Sequence, residues 1–175
     1  MWEVYWLTVM EPKLGFGVIL GSNVQLGANV IVWNYVVIGD NTRIGDGTRI
    51  GSFCDIGRNV EIGRECNIQA HVTISNGCRI GDRVFIGPKT VILNDKYPIS
   101  DLITPPTIGN DVIIGGGAII MPNIMIGDRA VIAAGSIVTR SVDAGIVVKG
   151  APAKPFMNRE EYEAKRKKFI RRNVL

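Results

Sequence analysis

Histidine is almost missing from this chain of 175 residues, in which His71 is the only one. Catalytic zinc sites usually take three protein ligands, and three histidines are a common set. One histidine cannot form that set, so we expect no zinc centre of this kind and no metal requirement. Histidine is the usual general base near neutral pH, and His71 is the one histidine available for that role.

Cysteine is scarce too, and its three residues, Cys54, Cys66 and Cys78, are spaced by twelve. The odd number and the lack of a C-x-x-C pair argue against a disulfide framework or a redox motif. We therefore expect reduced thiols and a cytoplasmic protein. Residues 1–9 are apolar but too short to span a bilayer, and they do not resemble a signal peptide. No membrane association is expected.

Charge is limited as well, at 21% of the residues, with a net value of +4. The segment after residue 153 carries eight basic residues against three glutamates. The rest of the chain is therefore close to neutral, which argues against a nucleic-acid-binding surface on the main fold. Hydrophobic residues reach 46%, so disorder is not expected.

Glycine, by contrast, is abundant, with 21 residues, and it recurs with a period of six. Every sixth residue from Leu20 to Ile92, and again from Ile108 to Val138, is aliphatic. Glycine follows it in twelve of these nineteen hexads. The fifth position of each hexad is small or β-branched almost throughout, and all three cysteines occupy it. Burial as small apolar side chains therefore explains the cysteines.

A six-residue period matches neither the 3.6-residue period of a helix nor the alternation of an ordinary strand. It is typical of a solenoid in which each hexad forms one short strand and one corner. Aliphatic side chains would then stack inside the column at about 4.8 Å, the spacing of paired strands. The predicted fold class is all-β, a parallel β-helix that is interrupted once.

Hexads such as Ile44-Gly-Asp-Gly-Thr-Arg49 and Ile126-Gly-Asp-Arg-Ala-Val131 resemble those of the hexapeptide acyltransferases, over roughly residues 18–155. The resemblance implies a left-handed coil with three hexads per turn, and so about six coils. It also implies a homotrimer that binds acetyl-CoA in clefts between subunits. We expect an N-terminal extension or cap (1–19), a β-helix (20–155, with a loop at 94–107) and a C-terminal α-helix (156–175).

The repeat is lost between Ile92 and Ile108, where proline, aspartate and serine predict a loop. With its flanking segments, this loop is similar to that of N-acetyltransferases acting on the 3-amino group of nucleotide-linked amino sugars. The resemblance implies that one residue at the start of the loop, Asn94, lies near the reacting amine. Loops on rigid scaffolds often carry binding groups, and we expect substrate contacts from Asp95, Lys96 and Tyr97.

Departures from the corner glycine gather on one face of the predicted column. From the first level to the last, the residues after the aliphatic position on this face are Gly21, Gly39, Gly57, Ser75, Leu93, Met121 and Thr139. Local rules fail most often at functional sites. We therefore expect the irregular side chains to shape a pocket beside the loop.

Acyl transfer to an ammonium group needs a deprotonated amine, and two mechanisms are open. His71, one coil below the loop, would act as the base if a neighbouring subunit brought it to the amine. Alternatively, the acceptor binds as the free amine, Asn94 orients it, and the departing thiolate collects the proton. Both residues are therefore candidate catalytic residues.

Small residues occupy matching positions on two successive coils: Gly115, Gly116 and Ala118, then Ala133 and Ala134. They would let the extended pantetheine chain of acetyl-CoA lie against the backbone. Residues 147–155, Val-Val-Lys-Gly-Ala-Pro-Ala-Lys-Pro, resemble the terminal motif of the family, whose basic residue meets a CoA phosphate. The resemblance assigns that role to Lys154.

These features predict an acetyl-CoA-dependent N-acetyltransferase acting on an amino sugar, with a nucleotide-linked 3-amino sugar as the expected acceptor. Within the same family, the alternative is an O- or N-acetyltransferase of another small acceptor, such as a sugar, an amino acid or an antibiotic. Outside it, the alternative is a non-catalytic β-helix scaffold. The loop argues against a scaffold, which would gain nothing from breaking its own stack.

Overall fold

A computed structural model describes residues 10–173 of the chain. They form 22 β-strands, most of them two residues long, and one α-helix. In chain order the elements are β1 (Lys13–Leu14), β2 (Ile19–Leu20), β3 (Gln25–Leu26), β4 (Ile31–Val32), β5 (Val37–Ile38), β6 (Arg43–Ile44), β7 (Arg49–Ile50), β8 (Asp55–Ile56), β9 (Glu61–Ile62), β10 (Asn67–Ile68), β11 (Thr73–Ile74), β12 (Arg79–Ile80), β13 (Phe85–Ile86), β14 (Val91–Ile92), β15 (Thr107–Ile108), β16 (Ile113–Ile114), β17 (Ile119–Ile120), β18 (Met125–Ile126), β19 (Val131–Ile132), β20 (Ile137–Val138), β21 (Ile146–Gly150), β22 (Ala153–Asn158) and α1 (Arg159–Asn173).

Successive strands enter three sheets in rotation. Sheet A has the order β1-β4-β7-β10-β13-β16-β19-β21-β22, sheet B has β2-β5-β8-β11-β14-β17-β20, and sheet C has β18-β15-β12-β9-β6-β3. Pairing between coils is parallel and in register, so that Ile68 lies between Ile50 and Ile86. The predicted parallel β-helix with three hexads per coil is confirmed.

The column is longer than predicted. Sheet A alone has eight parallel levels, against an expected number of about six coils. At the start, β1 pairs with β4 ahead of residue 20, because Leu14 continues the same six-residue series. At the end, Val148 pairs with Ile132 although the last coil is shorter. The strict period of six does not reach that last strand.

The interruption and the C-terminal segment differ slightly from their predicted bounds. The chain leaves the coil after β14 and returns at β15, so the loop spans 93–106. The segment before the helix is strand β22, which pairs antiparallel with β21, and α1 has no buried residue. Within 10–173, no helix is long and apolar enough to cross a membrane. The predicted extension at residues 1–9 lies outside the described residues.

Stacked isoleucines fill the interior, and twelve of them, from Ile38 to Ile132, are the largest fully buried side chains. Burying one such side chain stabilises a fold by about 1.5–3 kcal/mol. Cys54, Cys66 and Cys78 are buried in the same core and unpaired with one another. Burial raises the pKa of Cys78 to about 12. The cysteines are core residues, as predicted.

Asparagine and aspartate tie the corners of successive coils together. In seven hexads the third residue accepts, through its side-chain Oδ1, a hydrogen bond from a backbone N–H one coil below. These residues, which we call the Asx ladder, are Asn34, Asp40, Asp46, Asn76, Asp82, Asn110 and Asp128. Each lies above a glycine, and a Cβ on that glycine would collide with the accepting oxygen. Backbone atoms of the coil above would also lie only 2.6–2.8 Å from that Cβ. The ladder and the close backbone approach together explain why these corners carry glycine.

Candidate active site

Asn94 stands where sheet B gives way to the interrupting loop. Its side-chain Nδ2 donates a hydrogen bond of 3.0 Å to the backbone oxygen of Asn76, one coil below. Its own backbone oxygen accepts a 2.8 Å hydrogen bond from the N–H of Thr104. The residue thus closes the base of the loop while resting on a regular coil. Its Oδ1 has no hydrogen-bond partner in the described part of the chain.

The next three residues divide between loop structure and solvent. The Asp95 carboxylate accepts hydrogen bonds from the N–H of Tyr97 and from the N–H and Oγ of Ser100, at 3.0–3.2 Å. That carboxylate therefore organises the loop, which leaves it less available to a substrate than predicted. Lys96 and Tyr97 are exposed, and the Lys96 Nζ lies 5.6 Å from the centre of the Tyr97 ring. Their role as substrate contacts stays a prediction.

His71 lies on a different corner from Asn94. It precedes β11, whereas Asn94 follows β14, so His71 lies at the start and Asn94 at the end of the sheet B strands. The His71 ring stacks on Phe53 with centres 5.0 Å apart and planes 8° apart. Tyr35 and Phe16 continue this stack downward, and we call the four rings the aromatic column. Within one chain the structure does not bring His71 to Asn94.

Above His71 the next residue of this corner is Lys89, which is exposed, and the two levels above Lys89 are bare of side chains. The residues there that correspond to Tyr35 and Phe53 are Gly117 and Gly135, and a Cβ on either glycine would meet no atom within 4 Å. An adjoining pocket of about 330 Å³ is lined by Gly115, Ala133, Ala134, Val147, Phe156 and Tyr162 among others. We call the bare corner and this pocket the small-residue groove. Three of the predicted cofactor residues, Gly115, Ala133 and Ala134, line it.

Two other predicted cofactor residues do not contribute side chains to the groove. Ala118 is fully buried in the core, because the fifth position of a hexad points inward. Its methyl group cannot contact a ligand on the surface, so only the backbone of Ala118 stays a candidate for cofactor binding. Gly116 lies at the corner itself, where a Cβ would come within 3.1 Å of the Pro88 backbone oxygen. Its backbone shapes the bare corner.

The lysine predicted from the terminal motif is not among the residues that line this groove. Lys154 lines a separate pocket of about 370 Å³ beside Arg140. Lys149, its partner across the β21–β22 hairpin, lines the groove instead, with its Nζ 3.4 Å from the centre of the Phe156 ring. The Lys165 Nζ is 5.4 Å from the same ring. The alternation of β21, which puts Val147 and Lys149 on one face, was the signal that could have identified Lys149.

Helix α1 is anchored beside the groove by arginine. The Arg159 guanidinium donates hydrogen bonds to the backbone oxygens of Asp111 and Arg129, at 3.2 and 3.0 Å. Arg129 in turn pairs with Glu160 at 2.8 Å. The Asp111 carboxylate accepts hydrogen bonds from Arg83, which lower the pKa of Asp111. These contacts hold the first turn of α1, and with it Tyr162, against the column.

The described residues contain no group of three His, Cys, Asp or Glu side chains that could hold a metal ion.

Residues 41–76 and 105–140 match a family model described as bacterial transferase hexapeptide (six repeats). Residues 14–34 match a second model, described as the hexapeptide repeat of succinyl-transferase. Together these segments cover more than half of the chain. The chain belongs to the hexapeptide-repeat transferases.

One curated relative of this hexapeptide-repeat chain is a 2,3,4,5-tetrahydropyridine-2,6-dicarboxylate N-acetyltransferase of Staphylococcus aureus. The two are 37% identical over 90 residues, which is 51% of this chain. The match spans 37% of the relative, so it takes in little more than a third of that protein's length.

Solved structures of the family extend the likeness to most of the chain. A hexapeptide-repeat acetyltransferase from Vibrio cholerae is 27% identical with a TM-score of 0.52, covering 82% of this chain and 74% of its own. It has also been solved with acetyl coenzyme A. An N-acyltransferase from Bacillus cereus, in complex with dTDP-4-amino-4,6-dideoxyglucose and coenzyme A, shares the fold at 20% identity. Its TM-score is 0.59, over 92% of this chain and 91% of that one.

Proposed function

We propose that this chain is an acetyl-CoA-dependent N-acetyltransferase that acts on an amino sugar, with a nucleotide-linked 3-amino sugar as its acceptor. The observation that carries the proposal is the hydrogen bonding of the Asn94 side chain. Its amide nitrogen is held by the coil below at 3.0 Å, while its Oδ1 is left to accept a hydrogen bond beside an exposed loop. An amine acceptor supplies the N–H that this oxygen lacks.

The reaction needs few protein groups. The free amine attacks the thioester carbonyl, the C–N bond forms and the C–S bond breaks. The departing thiolate takes the proton that the new amide nitrogen loses. Asn94 contributes by accepting one N–H of the amine, which aims the nitrogen lone pair at the carbonyl; orientation of this kind supplies much of the rate in two-substrate reactions. This mechanism uses no base from the protein. The His71 ring stacks on Phe53, and its role as a base at a subunit interface stays the alternative prediction.

Acetyl-CoA, as co-substrate, fits the small-residue groove. The bare positions at Gly117 and Gly135 leave room for an extended chain against the backbone, and the adjoining pocket ends at Lys149. An ammonium group there suits a phosphate of CoA. The V. cholerae relative was solved with acetyl coenzyme A, which supports the same ligand here.

A second copy of the chain completes the proposed site. The groove lies on the corner between sheets A and B, whereas Asn94 lies at the far edge of sheet B. One column cannot bring both to the same acetyl group. A homotrimer, in which the groove of one subunit faces the Asn94 loop of its neighbour, would do so. Sedimentation of the purified chain at the mass of three subunits is the expected result, and a monomer with full activity would contradict this arrangement.

The S. aureus relative favours a second acceptor. That enzyme is named for the N-acetylation of a cyclic dicarboxylate, and the two chains are 37% identical over 90 residues. A dicarboxylate acceptor would need cationic side chains near Asn94. Lys96 is exposed on the loop and could supply one such group.

Thiol release from acetyl-CoA, measured with nucleotide-linked 3- and 4-amino sugars and with tetrahydrodipicolinate, tests both acceptors. Turnover with a nucleotide-linked amino sugar is the expected result. Asn94→Ala should then lower kcat by about a hundredfold, because the amine loses its orientation. Asn67→Ala, an exposed asparagine on sheet A, is the matched control and should leave kcat unchanged. No turnover with any acceptor, together with no binding of CoA in calorimetry, would favour a scaffold.

A further inference from the structure

We propose that Ser75 is a positioning residue, whose Cβ keeps Asn94 out of the Asx ladder and so leaves the Asn94 Oδ1 to the acceptor. The catalytic consequence rests on the proposed function. The geometric part of the inference does not, because it concerns only how two residues on successive coils pack.

Every other asparagine or aspartate at the third position of a hexad belongs to the Asx ladder, and Asn94 does not. Each of the seven members of the Asx ladder lies above a glycine and accepts a backbone N–H at 2.7–2.9 Å. At Gly57, directly below Ser75 on the same corner, a Cβ would fall on the Asn76 Oδ1. The accepting oxygen and a Cβ on the residue below therefore cannot occupy the same space.

Asn94 is the eighth asparagine or aspartate at a third position, and the residue below it is Ser75. Since serine has a Cβ, the place of the accepting oxygen is already taken. The observed contact is the reverse of a ladder contact, with the Asn94 Nδ2 donating to the Asn76 backbone oxygen. Among the described residues, the Asn76 N–H has no acceptor and the Asn94 Oδ1 has no donor.

The reversal matters because a ladder residue has its oxygen committed to the backbone. Asn94 in the ladder could not accept an N–H from an amine without losing that bond. With Ser75 below, the amide is held through its nitrogen, and its oxygen points away from the coil contact. The loss of one corner glycine thus converts a structural asparagine into one that can bind an acceptor.

Ser75→Gly tests the inference, with Ser75→Ala as the matched control because alanine keeps the Cβ and removes the hydroxyl. We expect Ser75→Gly to let Asn94 enter the ladder. Hydrogen exchange at the Asn76 N–H should then slow by at least about tenfold, since the group gains an acceptor. The kcat for acetyl transfer should fall by at least about tenfold with the KM for acetyl-CoA unchanged. Ser75→Ala should match the wild type in both measurements.

Three outcomes would overturn the proposal. Unchanged Asn76 exchange in Ser75→Gly would show that the Cβ does not control Asn94. Slowed exchange with unchanged kcat would show that the Asn94 oxygen is not used in the reaction. Equal losses in Ser75→Ala and Ser75→Gly would assign the effect to the hydroxyl. The exchange measurement needs no substrate, so it still decides the packing question if no acceptor turns over and the proposed function fails.

Discussion

The lower and upper halves of one corner, between sheets A and B, use the same backbone in opposite ways. Tyr35 and Phe53 have positive φ values of 56° and 60°, and Gly117 and Gly135 at the equivalent upper positions have 68°. In the lower half, rings at these positions stack into the aromatic column. In the upper half Lys89 follows His71, and the two positions above Lys89 have no side chain. The backbone accepts both, so the bare corner is not a requirement of the fold.

A second comparison, between the corners after sheets B and C, points the same way. After sheet C every hexad carries glycine, and the Asx ladder continues up to Asp128. After sheet B the glycines stop at Gly57, and the loop begins two levels higher. Regular corners join coils to one another, whereas irregular corners leave polar groups and space for ligands. The following changes test this division.

The largest expected effect is a loss of stability in Gly63→Ala, which lies in a regular corner. A Cβ there would approach the Gly81 carbonyl carbon and oxygen to 2.6 Å, which neither backbone can avoid. The free energy of unfolding in urea should fall by about 3 kcal/mol. Gly117→Ala, in the bare corner, should lose about 1 kcal/mol, the cost of a positive φ. Equal losses at the two positions would remove the distinction between the corners.

An aromatic side chain placed in the bare corner should weaken the binding of acetyl-CoA more than it destabilises the fold. Gly117→Tyr copies the residue that the lower half already carries at Tyr35. We expect the KM for acetyl-CoA to rise at least about tenfold while the far-UV spectrum stays unchanged. Tyr35→Gly, the reverse exchange, should lower stability and leave the KM alone. An unchanged KM in Gly117→Tyr would move acetyl-CoA out of the groove.

A smaller change in the KM for acetyl-CoA should distinguish Lys149 from Lys154, the two lysines of the β21–β22 hairpin. Lys149→Ala should raise the KM for acetyl-CoA by about fivefold, because one charged contact to a phosphate is lost. Lys154→Ala should have less effect, since Lys154 lines the other pocket and not the groove. Steady-state kinetics with acetyl-CoA measure both. A larger loss in Lys154→Ala would instead support the assignment made from the terminal motif.

The smallest effect on activity is expected from His71→Ala. The kcat should change less than about twofold and keep its pH dependence, because the proposed reaction uses no base from the protein. Stability should fall by about 1 kcal/mol through the lost stacking on Phe53. Loss of the acidic limb of the pH–rate profile would identify His71 as the base, supplied across a subunit interface.

The sequence predicted the column well because a six-residue period reports strand register directly. It also located the loop, since the period is lost there. Side-chain direction was harder. Ala118 and Ala133 are both small, yet one points into the core and the other lines the groove. Lys149 was missed because β21 alternates with a period of two, which a six-residue search cannot detect. The reversed amide of Asn94 depends on contact between coils, and no single hexad contains that information.

The Asx ladder has a consequence for how such a molecule can change length. Each ladder hydrogen bond joins residues eighteen positions apart, or twenty-eight where the loop intervenes. In the lower half, a ladder residue finds a glycine and a backbone N–H on the coil below. A whole turn is therefore an interchangeable part. Duplication or deletion of one turn in the lower half would shift the upper half along the axis by a single strand spacing while its groove and loop stayed intact. The number of coils in the lower half can therefore change during evolution without any change in the groove and loop of the upper half.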